Sequence, residues 1–124
     1  MKKRIMTRRR MNHVASELSN ALLLMGGRQI DMHLLREDMG LRLRIEGDFA
    51  LEHQREMEIM ARLLQPQVRD PALVETYWEL AGGDQYTSES ELALVGQMLD
   101  AAVVEVSEGR VRMDLYLSFE TKAR

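Results

Sequence analysis

The chain has 124 residues, of which 45% are hydrophobic, so it can form one domain with one core and is too apolar for global disorder. It contains no cysteine, which excludes disulfides, thiolate zinc sites and cysteine nucleophiles. Its net charge of −3 is uneven, because six of the 17 basic side chains fall within the first ten residues and all 20 acidic ones follow them. An acidic body argues against nucleic acid as a partner, and no apolar run is long enough to span a membrane. We therefore expect a cytoplasmic protein without membrane association.

Residues 1–11 read as a basic flexible arm in front of a single domain over residues 12–120. The arm could be a solvated terminus, or it could contact phosphates or the acidic body that follows. Met6 and Met11 are alternative start sites, so the sequence leaves open whether residues 1–10 belong to the native protein.

A first helix is predicted to begin at a Thr7 or Asn12 cap and to end at the paired glycines Gly26 and Gly27. Its apolar residues recur at helical spacing and form one stripe for burial: Val14, Leu18, Ala21, Leu22 and Met25.

Two hairpins are predicted, one on each side of a helical middle. In the first, alternating strands over 30–35 and 41–46 flank a turn, and Gly47-Asp48 breaks the second strand. In the second, a strand from Val104 leads through a turn at 107–110 to a strand over 111–119. The alternation predicts one four-stranded sheet with a dry face and a wet face. The wet face would carry Asp31, His33, Arg42, Arg44, Glu105, Arg112, Asp114 and Tyr116.

Between the hairpins the pattern indicates helices over 51–64, 72–80 and 88–102, the last opened by a capping box of Ser88 and Glu91. These helices and the first one must cover the dry face of the sheet. The predicted fold class is therefore α+β, a two-layer α/β sandwich with its helices on one face.

This order of elements resembles the ATP-binding domain of histidine kinases, the GHKL or Bergerat fold. Three local matches carry the resemblance: Asn20-Ala21 in the first helix, the strand that runs into Asp48, and the helix over 92–100. The resemblance implies a mixed sheet in which a parallel pair joins the two hairpins. It also implies that Asn20 would contact a metal and that Asp48 would contact the base of a bound nucleotide.

The glycine boxes of that family are missing, which makes the chain a degenerate relative. The first box has Ala50 and Glu52 at its glycine positions, and the second has Glu89 and Glu91. Ser16 stands where the family places an acid before the asparagine. Two carboxylates facing a triphosphate would each cost about 4 kcal/mol at an effective dielectric of roughly 20. We therefore expect no ATP or Mg²⁺ cofactor and no ATP binding tighter than about 1 mM by calorimetry.

No other chemistry stands out in the sequence. His13, His33 and His53 are not spaced as converging metal ligands, so no metal site and no catalytic residue is predicted. The sequence favours a non-enzymatic role without deciding it. Tyr77 and Trp78 are candidate interface anchors, or else a lid over the core. Arg42 and Arg44 are candidate partner contacts on a wet face that could equally remain solvated.

The preferred interpretation is a non-catalytic histidine kinase ATPase-like domain that acts by association with a protein partner or as a homodimer. Such a domain would fit a regulatory role in bacterial-type signalling. Two alternatives stay open: a nucleotide-binding or phosphotransfer domain that retains Asn20 and Asp48, and an α/β module with an unassigned small ligand.

Overall fold

A computed structural model describes residues 2–65, 96 and 98–119 of the chain. It contains the helices α1 (Lys2–Leu24) and α2 (Gln54–Leu63), with a 3₁₀ turn at Leu51–His53 before α2. Its strands are β1 (Ile30–Arg36), β2 (Gly40–Asp48), β3 (Ala101–Ser107) and β4 (Arg110–Ser118). The predicted helix over 72–80, the capping box at Ser88 and the candidate anchors Tyr77 and Trp78 lie outside the described residues.

The four strands form one sheet in the order β1-β2-β4-β3, and every neighbouring pair is antiparallel. The predicted α+β class and four-stranded sheet are confirmed, whereas the mixed sheet implied by the resemblance is wrong. The hairpins meet through β2 and β4, with Leu43 opposite Leu115 and Ile45 opposite Met113. This antiparallel register puts the apolar residues of both strands directly opposite one another, where cross-strand pairs stabilise a sheet.

The core lies between one face of the sheet and the two described helices. The prediction that the apolar residues of β2 and β4 share a core with α1 is confirmed. Leu18 and Leu22 of α1 are fully buried in one cluster with the sheet, and Met57 and Met60 of α2 belong to the same cluster. The buried residues of β2 and β4 are Leu41, Leu43, Ile45, Val111, Met113, Leu115 and Leu117.

Helix α1 begins earlier than predicted. Residues 2–11, expected to form a flexible arm, are the first turns of the helix, so neither Thr7 nor Asn12 is its cap. The reason is that the buried side of the helix continues backwards, with the apolar Met11 fully buried and the polar Thr7 nearly so. The Thr7 hydroxyl also donates a hydrogen bond to the carbonyl oxygen of Ser118 at 3.3 Å, which ties this part of α1 to the end of β4.

The end of α1 follows the prediction. Gly26 adopts a left-handed conformation with φ of 87°, and Gly27 N–H donates to the carbonyl oxygen of Leu22 at 2.8 Å. Gly26 N–H donates to the carbonyl oxygen of Leu23 at 3.1 Å, which completes a Schellman motif. Glycine suits this position because other residues rarely adopt positive φ.

Two strand boundaries differ from the prediction. Strand β2 continues through Gly47 and Asp48, because Gly47 is paired with Ile30 on one side and Val111 on the other. Strand β3 begins at Ala101 rather than Val104, since Ala101 already pairs with Tyr116. Sheet pairing on β4 therefore replaces the last predicted helical turn.

Candidate interaction face

The open face is the side of the sheet that points away from α1 and α2, and no described helix covers it. The strand registers place all eight residues predicted for the wet face on this one side. Its outward positions are Asp31, His33, Leu35, Arg42, Arg44, Glu46, Asp48, Ala101, Val103, Glu105, Ser107, Arg110, Arg112, Asp114, Tyr116 and Ser118. The candidate contacts Arg42 and Arg44 are therefore neighbours on one surface.

Arg42 is held at the centre of a network on the open face. Its Nε donates to Glu37 Oε2 at 2.7 Å, and its Nη1 donates to Asp114 Oδ1 at 2.6 Å. The guanidinium lies over the ring of Tyr116, 5.1 Å from the centroid, within the range of a cation–π contact. The hydrogen bonds to Glu37 and then to Asp114 raise the pKa of Arg42 above its ordinary value. Arg42 is thus occupied by contacts within the chain.

Arg44 is presented differently from Arg42. Its described ion pair is to Asp114 Oδ2, where the 3.3 Å distance indicates a weaker hydrogen bond, and 56% of its side chain is exposed. Val103 of β3 lies opposite Asp114, on the other side of β4 from Arg44, and is 60% exposed. An exposed cation and an exposed apolar side chain on one face, here with Asp114 of β4 between them, are the mixture found in polar, wet protein interfaces.

A shallow cavity of about 310 Å³ lies where the open face meets the β3–β4 turn. Two acidic and two basic residues line it: Glu46, Glu105, Arg110 and Arg112, together with Val106, Ser107 and Val111. Arg112 Nε donates to Glu46 Oε2 at 2.9 Å, so part of this charge is paired within the chain. Neither Asn20 nor Asp48 lines the cavity. The cavity was not predicted from the sequence, because Glu46 comes from β2, far along the chain from the β3–β4 hairpin that carries the other three charges.

Asn20 and Asp48, the candidate cofactor residues, have separate surroundings. Asn20 is exposed on α1. Asp48 Oδ1 accepts hydrogen bonds from the backbone N–H groups of Arg28 at 2.8 Å and Gln29 at 2.9 Å. The hydrogen bond from Gln29, and then that from Arg28, lower the pKa of Asp48. In the described contacts, Asp48 joins the α1–β1 connection to the end of β2.

Asp48→Ala should destabilise the chain at neutral pH because two backbone donors lose their acceptor. The folded chain lowers the pKa of Asp48, so the carboxylate stabilises the fold above about pH 4 and this contribution falls away as the pH drops through the lowered pKa. The urea midpoint of Asp48→Ala should therefore lie below that of the wild type at pH 7 and approach it in acid. Asp48→Asn keeps an oxygen acceptor, so it should lower the urea midpoint at pH 7 by less than Asp48→Ala does. A difference between the urea midpoints of the wild type and Asp48→Ala that stays constant with pH would contradict this role for the charge.

A histidine–glutamate pair that the sequence analysis missed lies at the start of α2. His53 Nδ1 is 2.7 Å from Oε1 of Glu56, whose side chain is almost fully buried. The three-residue spacing on a helix was the available signal. The second nitrogen of His53 is 3.6 Å from Glu52 Oε2. We assign the pair a structural role at the junction between the 3₁₀ turn and α2.

Two kinds of feature are absent from the described part of the chain. No group of three or more His, Asp or Glu side chains there could hold a metal ion. None of the described helices combines the length and the apolar character needed to cross a membrane. Comparisons with protein-family models, with curated proteins and with solved structures found no match to this chain.

Proposed function

We propose that this chain is a non-catalytic α+β domain that acts by binding a protein partner on the open face of its sheet. The observation that carries the proposal is the combination of Arg44 and Val103, both more than half exposed, on a face that no described helix covers. The network around Arg42 supports the proposal, because these contacts hold Asp114 and Tyr116 in place before a partner arrives. Preorganised side chains lower the entropy cost of binding.

The relation to the histidine kinase ATPase fold remains part of this proposal. A first helix, a hairpin, a second helix and a second hairpin in one sheet agree with it. The antiparallel pairing of β2 with β4 departs from the parallel pair that the resemblance implied at this position. A regulatory role would follow if the domain binds a signalling protein. The nucleotide-binding alternative has less support, because Asp48 already accepts two backbone hydrogen bonds within the chain.

Arg44→Glu should weaken partner binding by about tenfold or more, equivalent to roughly 1.4 kcal/mol. The reversal puts a carboxylate beside Asp114 on the proposed surface, and like charges across an interface are costly. The matched control is Arg55→Glu, the same reversal at an exposed position of α2 on the other side of the sheet. The wild-type chain and both variants would be used as baits, and each recovered protein would then be titrated against all three by calorimetry.

Both variants should keep the wild-type circular dichroism spectrum and unfold within about 1 kcal/mol of it, as expected for exposed ion pairs. The proposal would fail if Arg44→Glu and Arg55→Glu bound every recovered partner as well as the wild type does. It would also fail if both variants lost binding equally, because the effect would then follow net charge rather than this face.

A further inference from the structure

We propose that β1 is a dimerisation edge, at which two copies of this chain pair antiparallel about Met32 and join their sheets into one. The inference goes beyond the proposed function, since it names a second copy of this chain as a further partner. It uses a different surface from the open face, so the two can be tested separately.

Strand β1 lies at one end of the described sheet and has β2 on one side alone. At the hairpin turn, Glu37 N–H donates to the carbonyl oxygen of Gly40 at 2.9 Å. Hydrogen-bonded pairs alternate along an antiparallel ladder, so the residues of β1 that bond β2 are the odd-numbered ones. The N–H and C=O groups of Ile30, Met32, Leu34 and Arg36 therefore point outwards. A row of outward backbone groups is a template for another strand.

Proteins usually protect such an edge with lysine, proline, a bulge or a covering element. Strand β1 contains neither lysine nor proline, and its register with β2 is unbroken from Ile30 to Arg36. Leu34 is 51% exposed and Leu35 is 39% exposed, so the strand also presents apolar surface.

The opposite edge, β3, is better protected. The carbonyl oxygen of Ser107, its last residue, accepts a hydrogen bond from Gln54 Nε2 at 3.0 Å. Helix α2 also packs against β3. The contrast identifies β1 as the edge on which a second strand can be added without displacing a described contact.

The side chains of β1 favour one register. A two-fold axis perpendicular to the sheet keeps the helices of both copies on the same side, and near the middle of β1 it can pass through Met32, His33 or Leu34. The Met32 register sets Asp31 opposite His33 of the second copy and Ile30 opposite Leu34 of the second copy, pairing acid with base and apolar with apolar. The His33 register sets His33 opposite itself and Asp31 opposite Leu35. The Leu34 register sets His33 opposite Leu35 and Met32 opposite Arg36. The first register alone places Asp31 opposite an imidazole that can donate a hydrogen bond to it, and this selects it.

Cross-linking tests the register, because the chain has no cysteine of its own. Met32→Cys would lie opposite its own copy on the axis, where paired strands hold Cα atoms about 5.5 Å apart, within disulfide range. His33→Cys is the matched control and would lie too far from its copy. Mild oxidation should produce a covalent dimer of Met32→Cys and much less of His33→Cys. The reverse result, or no cross-link in either variant, would overturn the proposed register.

Sedimentation over a range of concentrations tests the edge itself. Leu34→Pro removes an N–H that points outwards, so it leaves the ladder with β2 intact and should weaken the dimer by at least about tenfold. Leu34→Lys should act similarly, because lysine protects natural edges. Leu51→Lys is the matched control, the same change at a leucine 60% exposed next to the β3–β4 turn. Circular dichroism should show that all three variants keep their secondary structure.

The outcomes separate this inference from the proposed function. A wild-type dimer lost in both Leu34 variants but kept in Leu51→Lys and Arg44→Glu supports the edge. A dimer lost in Arg44→Glu and kept in Leu34→Pro overturns the edge and leaves the open face as the binding surface. A wild-type monomer at all concentrations overturns the edge, while the open face is still tested by titration of other partners. A different protein that binds the monomer and is blocked by Leu34→Pro also overturns self-pairing.

Discussion

Leu22→Ala should lower the free energy of unfolding by roughly 2–5 kcal/mol, the range for truncating a large buried aliphatic side chain. Leu22 is fully buried on α1 and belongs to the core cluster that joins α1 to β2 and β4. Its carbonyl oxygen also accepts the hydrogen bond from Gly27, so its backbone is held and cannot shift readily to fill the cavity. Urea unfolding followed by circular dichroism would measure the loss.

The neighbouring Leu23 provides the matched control for this prediction. Leu23 is 60% exposed on the same helix, so Leu23→Ala should change the free energy of unfolding by no more than about 0.5 kcal/mol. The two variants remove the same atoms from adjacent residues. Equal losses of unfolding free energy in Leu22→Ala and Leu23→Ala would contradict the orientation of α1. The expected difference between them comes entirely from which side of the helix meets the sheet.

Gly40→Val should destabilise the chain by about 3 kcal/mol or more, at the upper end of the range for overpacking. A Cβ atom at Gly40 would overlap the carbonyl oxygen of Leu117 and would lie 2.7 Å from the hydroxyl of Tyr116. The carbonyl belongs to the backbone of β4, next to the Gly40–Ser118 pair, and cannot move without disturbing the contact between the hairpins. Thermal unfolding would show a lower midpoint.

Gly47→Ala is the control, because Gly47 occupies the same strand but has space. The nearest atom to a Cβ there is the carbonyl oxygen of Gln29 at 3.5 Å, an ordinary contact. We expect its free energy of unfolding to stay within about 1 kcal/mol of the wild type, since alanine also suits a strand interior better than glycine. If the two substitutions cost the same, close approach of β4 to Gly40 would not be the cause.

The candidate site could be predicted in part. The alternation of β2 placed Arg42 and Arg44 on the polar side of a sheet, and the structure confirms that placement. That Arg42 is bonded within the chain while Arg44 is exposed could not be predicted. Asp114 pairs with both arginines, and it is 72 residues away from Arg42 in the chain. Which arginine is held within the chain and which is exposed depends on the β2–β4 register. The role of Asp48 as an acceptor for backbone amides was missed because its donors, Arg28 and Gln29, lie 20 and 19 residues away in the chain.

The sequence by itself determined which side of each strand faces the core and where α1 ends. Both are local properties, since side chains alternate along a strand with a period of two and a glycine permits positive φ where it stands. The tertiary structure alone decided the antiparallel contact between the hairpins and the extension of α1 back to Lys2. These depend on partners such as Leu115 opposite Leu43 and Ser118 beside Thr7. Local patterns carry no information about such pairs, because the free energy that selects them arises only when distant segments pack together.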